Sequence, residues 1–217
     1  MSALRPMSAA RAWSALILSC TLISPVIAAP PAPAHTHNSA PAAGVSLDEV
    51  HAVPDNPDYT SPGPEHHLLG TLAGSWTSVY RVTPKPGAAV IDMPGTAEFH
   101  PILGGLWVEG VTQLPLGKTR IEGRVLYGFD RFKQRFAFLF IQQADTQPLF
   151  GYGEADSTGR RITFTVPMDV PVAGRAAVPM RTVLDLSTPD HIEFEMNAPM
   201  PDGTEYQPLR IDYTRVK

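Results

Sequence analysis

Four charged residues lie within stretches that are otherwise largely apolar. They are Glu109, Glu122, Arg124 and Arg181. A charge inside a folded domain needs a partner, and a few polar groups that converge in an apolar pocket are typical of ligand sites. We therefore take these four as candidates for holding the polar end of a ligand. The alternative is that they form ion pairs between neighbouring strands on an outer surface.

Three aromatic residues near these charges could supply the apolar part of such a site. Trp107, Tyr127 and Phe138 are candidates to line a cavity, because apolar and aromatic walls are what small-molecule sites use. With the four charged residues they make the set of seven ligand-binding candidates. A second hypothesis draws an acid–base pair for catalysis from Glu109, Glu122 and Arg124, and a third is that side chains simply fill the interior.

The spacing of the other reactive residues predicts no catalytic, metal or cofactor site. His100 and His191 stand alone, and the adjacent His66 and His67 point to different sides of a helix, so none has the spacing of a motif such as H-E-x-x-H. Ser75 lies in A-G-S-W-T, which lacks the second glycine of a nucleophile elbow.

One short helix precedes the strands. Pro64 suits a first helical turn, and Glu65 suits the positive end of the helix dipole. Apolar residues from Leu68 to Ala73 form one face, and Gly74 is the predicted C-terminal stop. A helix of this length is unstable alone, so it must pack on another element.

After Ser75 the pattern has a period of two, which indicates strands. Ten are predicted: Trp76–Val82, Gly95–His100, Leu106–Gln113, Arg120–Phe129, Arg135–Gln142, Leu149–Ala155, Arg161–Val166, Met180–Leu186, Ile192–Asn197 and Leu209–Val216. No second helix is long enough for a crossover, so neighbouring strands must be antiparallel. We predict an all-β fold: an antiparallel up-and-down barrel of about ten strands with one short N-terminal lid helix, because closure removes exposed edges.

The alternation also predicts which side chains lie inside. Ile162, Phe164 and Val166 alternate with polar residues, as do the apolar residues from Ile192 to Met196. The segment Phe136–Ile141 is apolar on both faces, so we expect the lid helix, a loop or another chain to cover part of its outer face.

The first 62 residues differ from the rest in composition. Residues 1–28 contain two arginines, no acidic residue and a short apolar run, which predicts a signal peptide and a periplasmic or secreted protein. Lipid attachment at Cys20 is the alternative, and we expect no membrane span because the run is shorter than the ~20 residues that cross a bilayer. Residues 29–62 are rich in Pro and Ala and are predicted to be a disordered tail before the barrel domain at 63–217.

The charge balance disfavours nucleic acid as a partner. The net charge of −4 becomes −6 without residues 1–28, and an acidic domain lacks the basic surface that binds phosphates. The predicted barrel and its apolar strand faces instead favour a small apolar or amphipathic molecule as the partner, by analogy of fold.

Seven motifs resemble a known bacterial family. They are P-E-H-H-L-L-G-T-L-A-G-S-W at 64–76, L-G-G at 103–105, E-G-R-V-L-Y-G-F-D at 122–130, P-M-D-V-P-V-A-G-R at 167–175, F-E-M at 194–196, P-D-G-T-E-Y at 201–206 and D-Y-T-R at 212–215. In this order they resemble the family called domain of unknown function fifteen seventy-nine, over about residues 64–217. The resemblance implies a calycin-like barrel, similar in shape to lipocalins, and implies no known reaction.

The resemblance also implies how the barrel is closed and how this member differs. In lipocalin-like barrels a tryptophan closes the base under a late arginine, so we expect Arg215 to stack on Trp76. The chain has Leu106-Trp107 where the family usually has an arginine after L-G-G, and the apolar Phe138-Leu139-Phe140 where the family is more polar. If these positions line the barrel, the cavity of this member is more apolar than most.

Overall fold

A computed structural model describes residues 57–217. The predicted signal peptide, Cys20 and most of the predicted tail lie outside these residues. The elements are α1 (Pro57–Thr60), α2 (Pro64–Gly70), β1 (Gly74–Val82), β2 (Ile91–Ile102), β3 (Trp107–Leu116), β4 (Thr119–Asp130), β5 (Arg135–Gln142), β6 (Asp145–Ala155), β7 (Arg161–Val170), β8 (Arg175–Thr188), β9 (His191–Pro199) and β10 (Glu205–Arg215). Short 3-10 turns at Leu103–Gly105 and Pro171–Ala173 follow β2 and β7.

The ten strands form one closed antiparallel barrel, which confirms the predicted fold class. Each strand pairs with its neighbours in the chain, and β1 pairs with β10 to complete the circle. Trp76 lies opposite Arg215 in that last pair. Within residues 57–217, no helix is both long and apolar enough to cross a membrane.

The observed strands are longer than the predicted ones. For example, β2 extends from Ile91 to Ile102 and β8 from Arg175 to Thr188. Pro94 and Pro179 lie within these observed strands, each one residue before the predicted start at Gly95 or Met180.

Helix α2 is shorter than predicted. It ends at Gly70 rather than at Gly74, which instead opens β1 with φ = 125°. Between them the amides of Thr71, Leu72 and Ala73 each bond the carbonyl three residues back, which tightens the chain into the strand. Leu72, predicted on the apolar face of the helix, is fully buried within this turn.

The alternation along the strands correctly predicted the interior. Ile162, Phe164 and Val166 are fully buried, and the apolar residues from Ile192 to Met196 on the inner face of β9 are at most 6% exposed. On the outer face of β5, Ala137 is covered, but Ile141 is 46% exposed. The outer face of β5 is therefore only partly covered by the described residues.

Candidate functional site: a cavity at the open end of the barrel

Helix α2 and the first strand close one end of the barrel, called here the closed end. The Trp76 indole nitrogen donates a hydrogen bond to the Leu72 carbonyl at 2.9 Å. The Arg215 guanidinium carbon lies 4.1 Å from the centre of the Trp76 ring, which confirms the expected stacking. Arg215 also donates to the carbonyls of Thr71 and Ala73 at 2.8 and 2.6 Å. It therefore joins the last strand to the end of the helical segment.

His66 also has a structural role at the closed end. It is 4% exposed, its Nδ1 accepts a hydrogen bond from the Gly63 amide at 3.0 Å, and its ring meets Phe129 edge-on. Burial lowers the pKa of His66 below 6.5, and the nearby Glu65 and the Phe129 backbone act in the opposite direction. The neutral ring thus serves as the acceptor that caps the first turn of α2. His67 beside it is exposed, as their adjacency on a helix predicted.

Aromatic side chains fill the middle of the barrel. Phe138 contacts Phe164 and Phe194, with ring centres 5.7 and 5.9 Å apart. The Phe99 ring packs directly against Gly110. A Cβ atom at position 110 would overlap this ring, so only glycine fits there. This layer separates the closed end from the space above it.

Above the aromatic layer lies a cavity at the end of the barrel formed by the β1–β2, β3–β4, β5–β6, β7–β8 and β9–β10 hairpins, called here the open end. The volume accessible to the centre of a water molecule is about 100 Å³. Its walls are mainly apolar, and the lining residues are Tyr80, Thr112, Val125, Tyr127, Phe138, Phe140, Gln142, Asp145, Gln147, Leu149, Met168, Phe194, Met196, Leu209, Ile211 and Tyr213. About 10–15 Å³ by this measure holds one water, so the cavity can accommodate a small molecule.

Burial along the walls shows where the cavity opens. Tyr127 and Phe138 are at most 4% exposed, whereas Gln142 and Asp145 at the β5–β6 hairpin are half-buried. The pairing of β6 with β7 covers only Tyr152–Ala155 of β6. Nearer the open end the Gln147 side chain bridges the two strands, accepting from the Asp169 amide at 2.9 Å and donating to its carbonyl at 3.3 Å. The mouth therefore has a polar rim above an apolar interior.

Three tyrosines bring hydroxyl groups into the cavity wall. The Tyr80 hydroxyl lies close to the side chains of Thr112 and Tyr213, and Tyr127 lies near Tyr80. Burial raises the pKa of Tyr80, Tyr127 and Tyr213 above the ordinary value of 10.0. Burial and the nearby Tyr80 are the only influences on the pKa of the Tyr127 hydroxyl, which forms no hydrogen bond within residues 57–217. It is thus an uncharged group available to a ligand.

Of the seven residues proposed from the sequence, the structure brings two to this cavity. Tyr127 and Phe138 line it, with ring centres 5.7 Å apart. The other five lie on the outer surface of the barrel, because they alternate with buried inward residues such as Val108, Gly123 and Thr182 along their strands: Trp107, Glu109, Glu122, Arg124 and Arg181. Of the five residues that we expected to make the interior more apolar, Phe138 and Phe140 line the cavity. Trp107 and Leu139 face outward, and Leu106 precedes β3 and is not part of the lining.

The outward charges pair with one another. Arg124 donates to Glu109 at 2.9 Å and to Glu122 at 3.1 Å, and Glu109 also contacts His100 at 3.1 Å. The hydrogen bond from Arg124 is the main reason that the pKa of Glu109 is lowered. The arrangement matches the cross-strand ion pairs that we considered as the alternative to a polar anchor. An acid–base pair drawn from these residues would lie on the opposite side of the wall from the cavity.

The two remaining outward residues also have local partners. The Trp107 indole lies over Gly128. A Cβ atom at position 128 would be 2.7 Å from Cε3 of Trp107, so the absence of a side chain there lets the ring pack on the strand. The Nε of Arg181 donates to both carboxylate oxygens of Glu205 at 2.9 and 3.0 Å, and this bond raises the pKa of Arg181.

A group of three residues on the outer surface has metal-ligand chemistry. Ligand atoms of His191, Glu193 and Asp212 lie within 4.8 Å of one another. Arg210 donates to Asp212 at 2.9 Å and lies 2.8 Å from Glu193, and Arg81 forms an ion pair with the other Asp212 oxygen. Because two guanidinium groups already balance these carboxylates, we assign no metal to this cluster.

Three residues of the cavity wall were not among the candidates proposed from the sequence: Tyr80, Thr112 and Tyr213. Tyr80 is four residues after Trp76 in β1, so both side chains point to the inner face. In β10 Tyr213 is adjacent to the outward Asp212, so it also points inward. The alternation of inward and outward residues along these strands could therefore have predicted that both tyrosines lie inside the barrel. A hydroxyl at an inward strand position indicates a site less clearly than a charged group does, yet these hydroxyls converge inside the barrel.

The fold and cavity define a closed ten-stranded antiparallel barrel with one plugged end and one open end. The chain belongs to the family described as "Protein of unknown function (DUF1579)", whose model matches residues 61–215. This confirms the resemblance in the motifs, and the barrel agrees with a calycin-like fold.

One solved structure with a similar fold is the crystal structure of Rv2717c from M. tuberculosis. The TM-score is 0.50 and the sequence identity is 11%, and the match covers 71% of this chain and 99% of that chain. At this identity the similarity concerns the fold alone. No curated protein matches the chain.

Proposed function

We propose that this protein binds a small, mainly apolar molecule in the cavity at the open end of the barrel. The observation that carries the proposal is the cavity itself, in which apolar walls surround a few converging hydroxyl groups. That combination is typical of small-molecule sites. A raised-pKa carboxylate in the cavity would favour catalysis. The one carboxylate in the described lining, Asp145, lies at the rim.

The proposal includes export of the protein to the periplasm or beyond. Residues 1–28 support it by their composition, because an arginine-containing start followed by a short apolar run is typical of a secretory signal. The intact mass of the purified mature protein tests this step. A chain that begins at Ala29 supports export by signal cleavage, a lipid-modified Cys20 would replace cleavage with lipid anchoring, and an intact Met1 in the cell interior would contradict both.

Native mass spectrometry of the protein purified from its own host tests the binding proposal. We expect an additional mass that remains under native conditions and is lost on denaturation. A variant that fills the cavity, Leu209→Trp, should lose this mass because Leu209 is part of the wall. The matched control is Ile141→Trp, which adds the same ring to the outer face of β5.

The outcomes are distinct. Loss of the bound mass in Leu209→Trp but not in Ile141→Trp supports the cavity as the site. A mass retained in both variants would place the ligand elsewhere, and no bound mass in the unaltered protein, with no binding of any added apolar probe, would overturn the proposed function.

A further inference from the structure

No positively charged side chain is found among the described residues that line the cavity. Among the sixteen residues that line it, all within residues 57–217, none is Lys, Arg or His. The single carboxylate is Asp145 at the rim, whose oxygen accepts a hydrogen bond from the Gln147 amide at 3.0 Å. The arginines of the neighbouring strands face outward and are paired there. A buried anion would therefore find no countercharge in the cavity.

The buried hydroxyl groups in the cavity lining belong to three tyrosines and to Thr112, whose Oγ1 already donates to the Gly123 carbonyl at 3.3 Å. Tyr80, Tyr127 and Tyr213 are at most 6% exposed, and burial holds their pKa values above 10.0. Near neutral pH the three phenols are therefore uncharged. Each hydroxyl can donate one hydrogen bond or accept one, and the Tyr127 hydroxyl forms none within the described residues.

We infer that the cavity selects uncharged molecules with an acceptor oxygen, such as esters and ketones, over carboxylates of the same size. This inference rests on the proposed function and narrows its ligand class. The acceptor oxygen binds the Tyr127 hydroxyl, and the apolar part of the ligand contacts Phe138, Phe194 and Met196.

Two physical effects oppose an anion in this cavity. Transfer of a carboxylate from water into an apolar environment is costly unless a cation or several donors compensate. The negative rim residue Asp145 also repels an anion at the mouth. A neutral ester has the same oxygens and a similar apolar surface but avoids both costs.

Calorimetric titration with isomeric probes tests the selectivity directly. Methyl heptanoate and octanoate have the same carbon and oxygen atoms, and only octanoate is charged at neutral pH. Decane serves as a hydrocarbon of similar length without any acceptor. We expect methyl heptanoate to bind at least about tenfold more tightly than octanoate, and more tightly than decane after correction for their solubilities.

Substitution of the unpartnered tyrosine tests the role of its hydroxyl. Tyr127→Phe should weaken methyl heptanoate binding by about 2- to 10-fold, the size of one neutral hydrogen bond, and leave decane binding unchanged. The control is Tyr152→Phe, which removes a hydroxyl from an outward residue of β6 next to Phe150. We expect the control to bind both probes as the unaltered protein does.

The results separate the two proposals. If octanoate binds as tightly as methyl heptanoate, or if Tyr127→Phe leaves ester binding unchanged, the inference is overturned while the proposed function stands. If neither the ester, the carboxylate nor decane binds, the proposed function itself fails. A preference for the ester that depends on Tyr127 supports both.

Discussion

Replacement of Trp76 by Phe is the most informative test of how the barrel is closed. Trp76 is 1% exposed, donates to the Leu72 carbonyl and stacks under Arg215. Phenylalanine keeps an aromatic ring at the site but loses the indole nitrogen and one ring of the stack. The change therefore removes specific contacts while it preserves the apolar character of the position.

The structure sets the size of the expected effect. A buried Leu72 carbonyl without its donor costs about 1–3 kcal/mol. A cation–π contact contributes about 0.5–2 kcal/mol and is weaker over Phe than over Trp. We expect a total loss of about 2–4 kcal/mol, which for a domain of this size lowers the melting temperature by roughly 4–16 °C.

Urea denaturation followed by circular dichroism measures this loss, with Trp107→Phe as the matched control. Trp107 is only partly buried, lies on the outer surface over Gly128, and has no contact with Arg215 among the described residues. Trp107→Phe should therefore lower the free energy of unfolding clearly less than Trp76→Phe does. A Trp76→Phe protein as stable as the unaltered one, or equal losses in the two variants, would refute the account of the closed end.

Three further results are expected. Because the pKa of His66 is lowered, the unfolded chain binds a proton at this residue more readily than the folded chain. The contribution of His66 to stability is therefore complete above pH 6.5 and declines as pH falls through the lower pKa of the folded state. Unfolding titrations should show a smaller decline in His66→Gln, while His67→Gln keeps the full decline. Gly110→Ala should cost about 1–3 kcal/mol in urea denaturation, because its Cβ overlaps a packed phenyl ring, whereas Gly70→Ala, with no neighbour near its added methyl, should be at least as stable as the unaltered protein. Arg124→Gln should change neither thermal stability appreciably nor the affinity for an apolar probe, because its ion pairs are exposed; a large loss of probe binding would place Arg124 in the ligand site.

Much of the fold could be predicted because strand parity and turn residues report local structure. The buried Ile162, Phe164 and Val166 followed from alternation alone, and the Trp76–Arg215 pair followed from the family resemblance. Element ends were less predictable. Few sequence features indicate how far two paired strands extend toward their turn. Gly74 was predicted to end α2, but it is the first residue of β1.

The site was harder to predict because charge is a misleading guide to the interior of a barrel. Glu109 and Arg124 were proposed because they are charges among apolar residues. Their strands carry apolar residues such as Trp107 and Leu126 on the outer face as well, so the alternation there did not identify the inner face. Their mutual pairing allowed them to stay on the surface. Convergence of Tyr80 and Tyr213 depends on the β1–β10 closure, which joins the two ends of the domain.

The central claim is that the open end of the barrel holds a ligand between its apolar walls. Methyl-carbon NMR of the methionines during a titration with methyl heptanoate tests it most directly. Met168 and Met196 line the cavity, whereas Met93 and Met180 are buried residues outside its lining. We predict saturable shifts of the Met168 and Met196 signals with little change at Met93 and Met180. Unchanged signals at the first two, or equal shifts at all four, would contradict the claim.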